Sequence, residues 1–175
     1  MKIVLSPDPM LRQRAEECEP GDPSLKRLSK RMARTMYNND GCGLAAPQVG
    51  VLKRIIVIDC DTESETQNPI TLVNPVIVET SGEPEVAEEG CLSLPGISVP
   101  VKRPPYARVR YYDVDGNECE IAGDGLLGRC LQHEIDHLDG KTLFESCDPI
   151  ARIKALRDYD AAIAAGARPG QTAID

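Results

Sequence analysis

The sequence predicts an α+β fold, with antiparallel β-sheets packed around a central HExxH helix, an amphipathic helix towards the N-terminus and a further helix at the C-terminal end. Two observations carry this prediction. Short apolar or alternating runs joined by turn formers fill 54–122, while helical spacing is confined to stretches on either side of them. The chain of 175 residues is long enough for one compact core and has no internal repeat or linker, so 1–165 is expected to form a single catalytic domain and 166–175 a flexible tail.

Taken in order, residues 7–18 read as a short polar helix or turn, and 19–23 as a loop dense in Pro and Gly. Ser24 is the expected cap of a helix on which Leu25, Leu28, Met32 and Met36 share one side. Lys26, Arg27, Lys30, Arg31 and Arg34 cover much of the other, and read as a solvated face rather than a phosphate-binding stripe. Residues 38–50 follow neither a helical nor a strand period. Gly41 and Gly43 flank Cys42 there; taken alone the pair reads as a plain turn, and its lack of side chains also lets another backbone approach closely, whether substrate or a neighbouring strand. Ile55-Ile56-Val57-Ile58-Asp59 reads as a buried strand, 60–69 as a polar loop, 71–80 as a second strand broken at Asn74-Pro75, and 83–89 as a third. After Pro100, Pro104 and Pro105, residues 107–112 alternate in polarity, and Asp115-Gly116 marks a hairpin to 118–122. Asp124 caps and Gly140 ends a helix of about four turns. A last helix starts at Asp148-Pro149, with Ile150, Ile153, Leu156 and Ile163 among its apolar positions.

Composition narrows the function. With no Trp and a single Phe, Phe144, the core is aliphatic. A net charge of −8 argues against a general or sequence-specific nucleic-acid binder, which needs Lys and Arg across its surface. Residues 1–7 are too short an apolar run for a signal sequence, and no run approaches the roughly 20 residues of a membrane span. Seven scattered cysteines without CxxC spacing read as free thiols in a reducing cytoplasm.

The only two histidines, His133 and His137, lie four residues apart in Gln132-His133-Glu134-Ile135-Asp136-His137. On a helix they stand about 40° apart on one face and can share a metal ion, with Glu134 about 60° round from His137. Asp136 lies equally near His133 on the other side, so helical geometry alone does not choose between the carboxylates. A third ligand must come from elsewhere. Leu143 stands where one class of zinc protease carries a third histidine, and Glu145, the only glutamate downstream, is too close for another. Cys130 shares the histidine face but sits about 10 Å along one rod from His137, a poor geometry for converging bonds, whereas Cys91 can approach from a separate loop. Spacing leaves the two thiols as alternatives. Leu126 and Cys130, on the same helix face, can serve as core or as the wall of an apolar pocket.

Three motifs in this order, GCGLAAPQ at 41–48, EGCLS at 89–93 and QHEIDHLDG at 132–140, resemble the signatures of bacterial peptide deformylases. The resemblance implies a hydrolase that removes the formyl group from N-formylmethionyl nascent peptides and releases formate, with a metal-bound water attacking the formyl carbon. It assigns Cys91, His133 and His137 as metal ligands, and Glu134 as general base and then acid. Gln48 and the Leu92 backbone N–H would stabilise the oxyanion. It implies that Gly43 binds peptide backbone and that the methionine side chain enters a pocket near Cys42, Leu126 and Cys130. Asp136, with Arg103 as its partner, would support the histidines. The implied ion is Fe²⁺, with Zn²⁺ or Ni²⁺ able to replace it. Arg152, Lys154 and Arg157 on the last helix offer a contact to the ribosome. The chain departs from the family pattern at Cys42, where a larger aliphatic residue is usual, and at Gly96-Ile97-Ser98, where many members carry a basic residue. Against this stand two other readings: a different metal-dependent amidase or peptidase, and a non-catalytic module stabilised by metal.

Overall fold

A computed structural model describes residues 1–172. A 3-10 helix at Pro9–Arg12 occupies the short polar stretch, and the first long helix, α1, spans Pro23–Asn38. Its cap is Asp22 and not the expected Ser24: the Asp22 carboxylate accepts from the Ser24 N–H at 2.9 Å, and Pro23 supplies the preset φ of a first helical residue. Leu25, Met32 and Met36 point inward and pack with Leu44, Ile55 and Val57.

Among the described residues seven strands follow in chain order: β1 (Gly43–Ala45), β2 (Ile55–Ile58), β3 (Ile70–Ser81), β4 (Glu85–Glu89), β5 (Val99–Arg103), β6 (Tyr106–Tyr112) and β7 (Glu118–Gly123). All pairings of these strands are antiparallel. One sheet has the order β1-β2-β3-β6-β7, and β4 pairs with β5 in a second. Three expectations are corrected. The stretch 38–50 contains β1 and a 3-10 helix at Ala46–Val49, too short to show a period. Asn74-Pro75 does not break β3 but shifts its register with β6 between Val73 and Val76. Asn74 adopts φ 50°, and its amide exchanges hydrogen bonds with the Cys18 backbone N–H and C=O, both at 2.8 Å. Finally, the Pro-bearing stretch before 107–112, to which the sequence assigned no strand, forms β5, and Pro104 and Pro105 separate it from β6.

The central helix α2 (Gly125–Leu138) lies on the larger sheet, where Cys130, Leu131, Ile135 and Leu138 pack with Ile56, Ile58, Leu72 and Val109. Asp124 occupies its N-cap without a side-chain hydrogen bond, and Gly140 turns the chain at φ 76°. A single turn, α3 (Leu143–Ser146), leads to α4 (Pro149–Ala164), capped by Asp148. Two of the apolar positions read on α4 from the sequence face outward: Ile150 is 82% exposed and Ile153 63%. The helix is instead held by Ala155 and Tyr159, packed with Leu94, Val99 and Phe144. Of the expected flexible tail, 173–175 lie outside the described residues. Residues 166–172 run back over the body, where the Gly96 N–H donates to the Gln171 carbonyl at 2.8 Å.

Candidate metal centre

The helical period of α2 puts the two imidazoles side by side, with ring centroids 5.1 Å apart. Cys91, just beyond the end of β4, brings its Sγ to 3.4 Å from His137 Nε2. One donor atom each from Cys91, His133 and His137 lies within 4.8 Å of the others, and all three residues are buried. A thiolate and an imidazole on one tetrahedral ion stand about 3.5 Å apart, given bonds near 2.3 and 2.05 Å, so the Cys91–His137 spacing fits a shared metal. A buried acceptor adjoins the trio: Glu134 Oε2 has no hydrogen-bond partner among the described residues, and Oε1 lies 3.9 Å from His133 Nε2. The structure thus brings Cys91 rather than Cys130 to the histidines. Cys130 instead donates its thiol to the Cys42 carbonyl at 3.8 Å.

Gln48 approaches from the 3-10 helix after β1. Its Oε1 accepts from the Ala45 N–H at 2.9 Å, which turns its amide donors to Ser93 Oγ at 3.1 Å and Cys91 Sγ at 3.5 Å. A cleft of about 260 Å³ opens on this cluster, lined by Cys42, Gly43, Cys91, Leu92, Leu126, Cys130, His133 and Glu134. A larger groove of about 700 Å³, between α1 and residues 67–71, contains none of these groups.

The sequence profile of the polypeptide deformylase family matches residues 1–152. The chain belongs to that family. It is 47% identical over 152 residues to a peptide deformylase of Thermodesulfovibrio yellowstonii, covering 87% of this chain and 92% of that one. Its fold is similar to that of a crystallised peptide deformylase of Legionella pneumophila, with a TM-score of 0.85, 43% identity and coverage of 94% and 95%. A Synechococcus elongatus peptide deformylase in complex with actinonin is similar at a TM-score of 0.86, with 41% identity and coverage of 96% and 91%.

Within this deformylase scaffold the carboxylates that helical geometry could not separate have different surroundings. Asp136 accepts from Arg103 Nη1 and from Ser146 Oγ, both at 2.9 Å, and so is tied up away from the cleft. Glu134 is buried in the cleft, and burial is the main reason its carboxyl is pushed up to about 7, against a lowering by His133. Leu126 lines the cleft mouth while remaining half exposed. Gly43 has a sharper reason to lack a side chain than backbone approach alone. A Cβ there would stand 2.6 Å from Glu134 Oε1 and 2.8 Å from Cys130 Sγ. The neighbouring Cys130 thiol, more than any other group, draws the Cys42 thiol below its ordinary value, against burial.

The sequence reading missed the hub of this deformylase centre, Glu89. Its carboxylate accepts from His133 Nδ1 at 2.9 Å, from Arg103 at 2.7 and 3.0 Å, and from Arg129 at 2.6 Å. Burial would raise Glu89, but His133 and Arg103 outweigh it and bring the carboxyl down to about 2. Burial would lower His133, but contacts with Cys91, Glu89 and Glu134 raise it well above its ordinary value. His137, by contrast, is lowered by burial and by the nearby His133 and Arg103 charges. One signal could have found Glu89: it opens the EGCLS motif, two residues before Cys91.

Proposed function

We propose that this chain is a metal-dependent hydrolase that removes the formyl group from the N-formylmethionyl ends of newly made peptides and releases formate. The observation that carries this reading is a buried carboxylate oxygen of Glu134, without a hydrogen-bond partner among the described residues, beside the Cys91–His133–His137 trio in a cleft of a deformylase-family chain. Cys91, His133 and His137 would hold the ion, and residues 1–165 read as one catalytic domain around it. A divalent metal bound there supplies Lewis acidity, lowering the pKa of water and polarising a carbonyl. Thiolate with two imidazoles suits Fe²⁺, Zn²⁺ or Ni²⁺ alike, and we take Fe²⁺ as the physiological ion on the family resemblance.

Glu134, titrating at about 7, is suited both to accept a proton from water and to return it to the leaving amine. The Gln48 amide donors and the Leu92 backbone N–H hold the negative charge that grows on the formyl oxygen. Support comes from Gln48 itself, whose Oε1 is engaged by Ala45 so that its donors face the cluster. Gly43 lies on β1, an edge strand, and takes the peptide backbone as an added strand. The methionine side chain enters the pocket of Cys42, Leu126 and Cys130. Arg103 and Asp136 orient the histidines through Glu89 and the shared helix.

Nascent peptides are the substrate partner. A ribosome contact through α4 draws support from the exposed Ile150 and Ile153 beside Lys154 and Arg157; Arg152 is turned inward to the Phe144 carbonyl. The seven free cysteines fit a reducing cytoplasm, and among the described residues no helix is long and apolar enough to cross a membrane. The test is formate release from formyl-Met-Ala-Ser under anaerobic conditions with Fe²⁺, beside the acetylated peptide. Formate from the first and no acetate from the second is expected. Equal cleavage of both would favour a general amidase, and no cleavage a binding module.

A further inference from the structure

The residues after α4 do more than end the chain. The Ala167 N–H donates to the Ala162 carbonyl, closing the helix, and a turn then forms in which Gln171 and Arg168 exchange two hydrogen bonds. The Gly96 N–H fixes the Gln171 carbonyl at 2.8 Å. From that anchor the segment touches both sides of the metal cleft. On one side Gly170 lies so close to α1 that a Cβ would stand 2.5 Å from the Asn39 carbonyl oxygen, immediately before the Asp40–Gly43 wall. On the other, Thr172 Cγ2 stands 2.8 Å from where a Gly90 Cβ would be, beside Cys91. Gly170, Gln171 and Thr172 accordingly line the same cleft as His133 and Glu134.

The two walls bridged in this way carry the strand edges on which a peptide can add. β1 is an edge strand of the large sheet, and β4, which ends at Glu89, has β5 as its one strand partner among the described residues. A peptide lying between Gly43 and Gly90 would run out past Gly170–Thr172, which line the same cleft. We propose that residues 170–172 form a strap across the cleft mouth that selects substrates by their length beyond the first residue, because a peptide continuing past its methionine must displace it. This rests on the deformylase reading of the cleft. A formyl-methionine derivative with no further residues fits inside the strap, while a tripeptide does not. The anchors of the strap include one backbone hydrogen bond at Gly96 and the close packing at Gly90 and Gly170, where Gly170 takes φ 93°. A substrate that gains strand pairing can offset the loss of such contacts, and the displacement is read as a raised apparent KM, scaled by the fraction of time the cleft is open.

The experiment compares the full chain with one ended after Arg168 and with Gly170→Ala, whose added Cβ collides with Asn39 and whose positive φ disfavours alanine. Thermal melts establish that each variant is folded. Both variants are expected to lower KM for formyl-Met-Ala-Ser by about threefold or more, with kcat within about twofold and KM for formyl-Met amide unchanged. In the full chain, amide exchange at Gly96 is expected to quicken when the product Met-Ala-Ser saturates the cleft. An unchanged tripeptide KM in both variants would overturn the strap, and so would a rise, which would make the segment a binding wall instead. A Gly96 amide equally or better protected with the peptide bound would overturn it too. Absence of formate release from every form would refute the functional reading, and the exchange measurement would still decide the strap.

Discussion

Glu89 accepts the Nδ1 proton of His133 at 2.9 Å, and that one contact ties a strand end to the orientation of a ligand on α2. With Nδ1 engaged, Nε2 is the nitrogen left to face Cys91 and His137, so the carboxylate sets both the tautomer and the ring plane. The same carboxylate neutralises buried Arg103 and pairs with Arg129.

Glu89→Ala should therefore fail in two ways. Leaving the Arg103 guanidinium buried with Asp136 as its remaining ion-pair partner should cost about 3 kcal/mol in denaturant unfolding of the metal-free protein. Metal affinity should fall by about 10- to 100-fold in a competition titration with a chelator. Wild-type affinity in a folded variant would mean that Glu89 does not orient the ligand.

Gly43→Ala should act on Glu134 before it acts on substrate. The new Cβ would overlap Glu134 Oε1 and Cys130 Sγ, and overpacking of this kind costs about 1–3 kcal/mol. We expect kcat to drop by about tenfold or more while bound metal, read by elemental analysis, stays at one equivalent, because a carboxylate displaced by a fraction of an ångström no longer meets its proton. A rise in KM alone would assign Gly43 to the peptide backbone only.

The two thiols that helical spacing could not separate should separate by metal content. Cys91→Ala removes the sulfur 3.4 Å from His137 Nε2 and should abolish stoichiometric metal. Cys130→Ala removes a buried thiol bonded to the Cys42 carbonyl, and should retain metal while enlarging the pocket and weakening discrimination for methionine. Loss of metal from the second variant and not the first would reverse the ligand assignment.

What could be read from sequence depended on whether one element alone carried the information. His133 and His137 share a helix, so the 3.6-residue period put them on one face without any knowledge of the rest. Ile55–Ile58 was equally self-contained, four apolar residues buried on both faces. Glu89 was not, because its meaning depends on β4 ending where α2, Arg103 and Arg129 converge. Asn74-Pro75 looked like a strand break, and only the Cys18 backbone, 56 residues away, makes the bulge tolerable. On α4 the pattern named apolar residues but not the side that packs: small Ala155 and Tyr159 meet the core, and Ile150 does not. The path of 166–172 back to Gly90 and Gly96 left no periodic trace at all.

Glu134 should leave a mark on the stability of the metal-free protein as pH changes. Its carboxyl titrates at about 7 in the folded chain, raised from 4.5 chiefly by burial. For an acid whose folded pKa is raised, the neutral form favours folding. Its contribution is therefore fully present below about 4.5 and lost as pH climbs through 7, with up to roughly 3 kcal/mol at stake. Glu89 works in the opposite sense: its pKa is lowered from 4.5 to about 2, so its contribution is present above 4.5 and lost as pH falls through 2. Between pH 5 and 8 only the first of these two effects operates. The raised His133 and the lowered His137 also act in this window and in opposite senses, so the readout is the difference: metal-free Glu134→Gln, which cannot ionise at this position, should lose less stability with rising pH than wild type. Denaturant midpoints of the two proteins at a series of pH values check this, since equal slopes would show that Glu134 ionises without penalty. The same variant loaded with metal should keep the ion on Cys91, His133 and His137 yet release no formate, because the amide that removes the pH dependence also removes the carboxylate placed to pass a proton both ways.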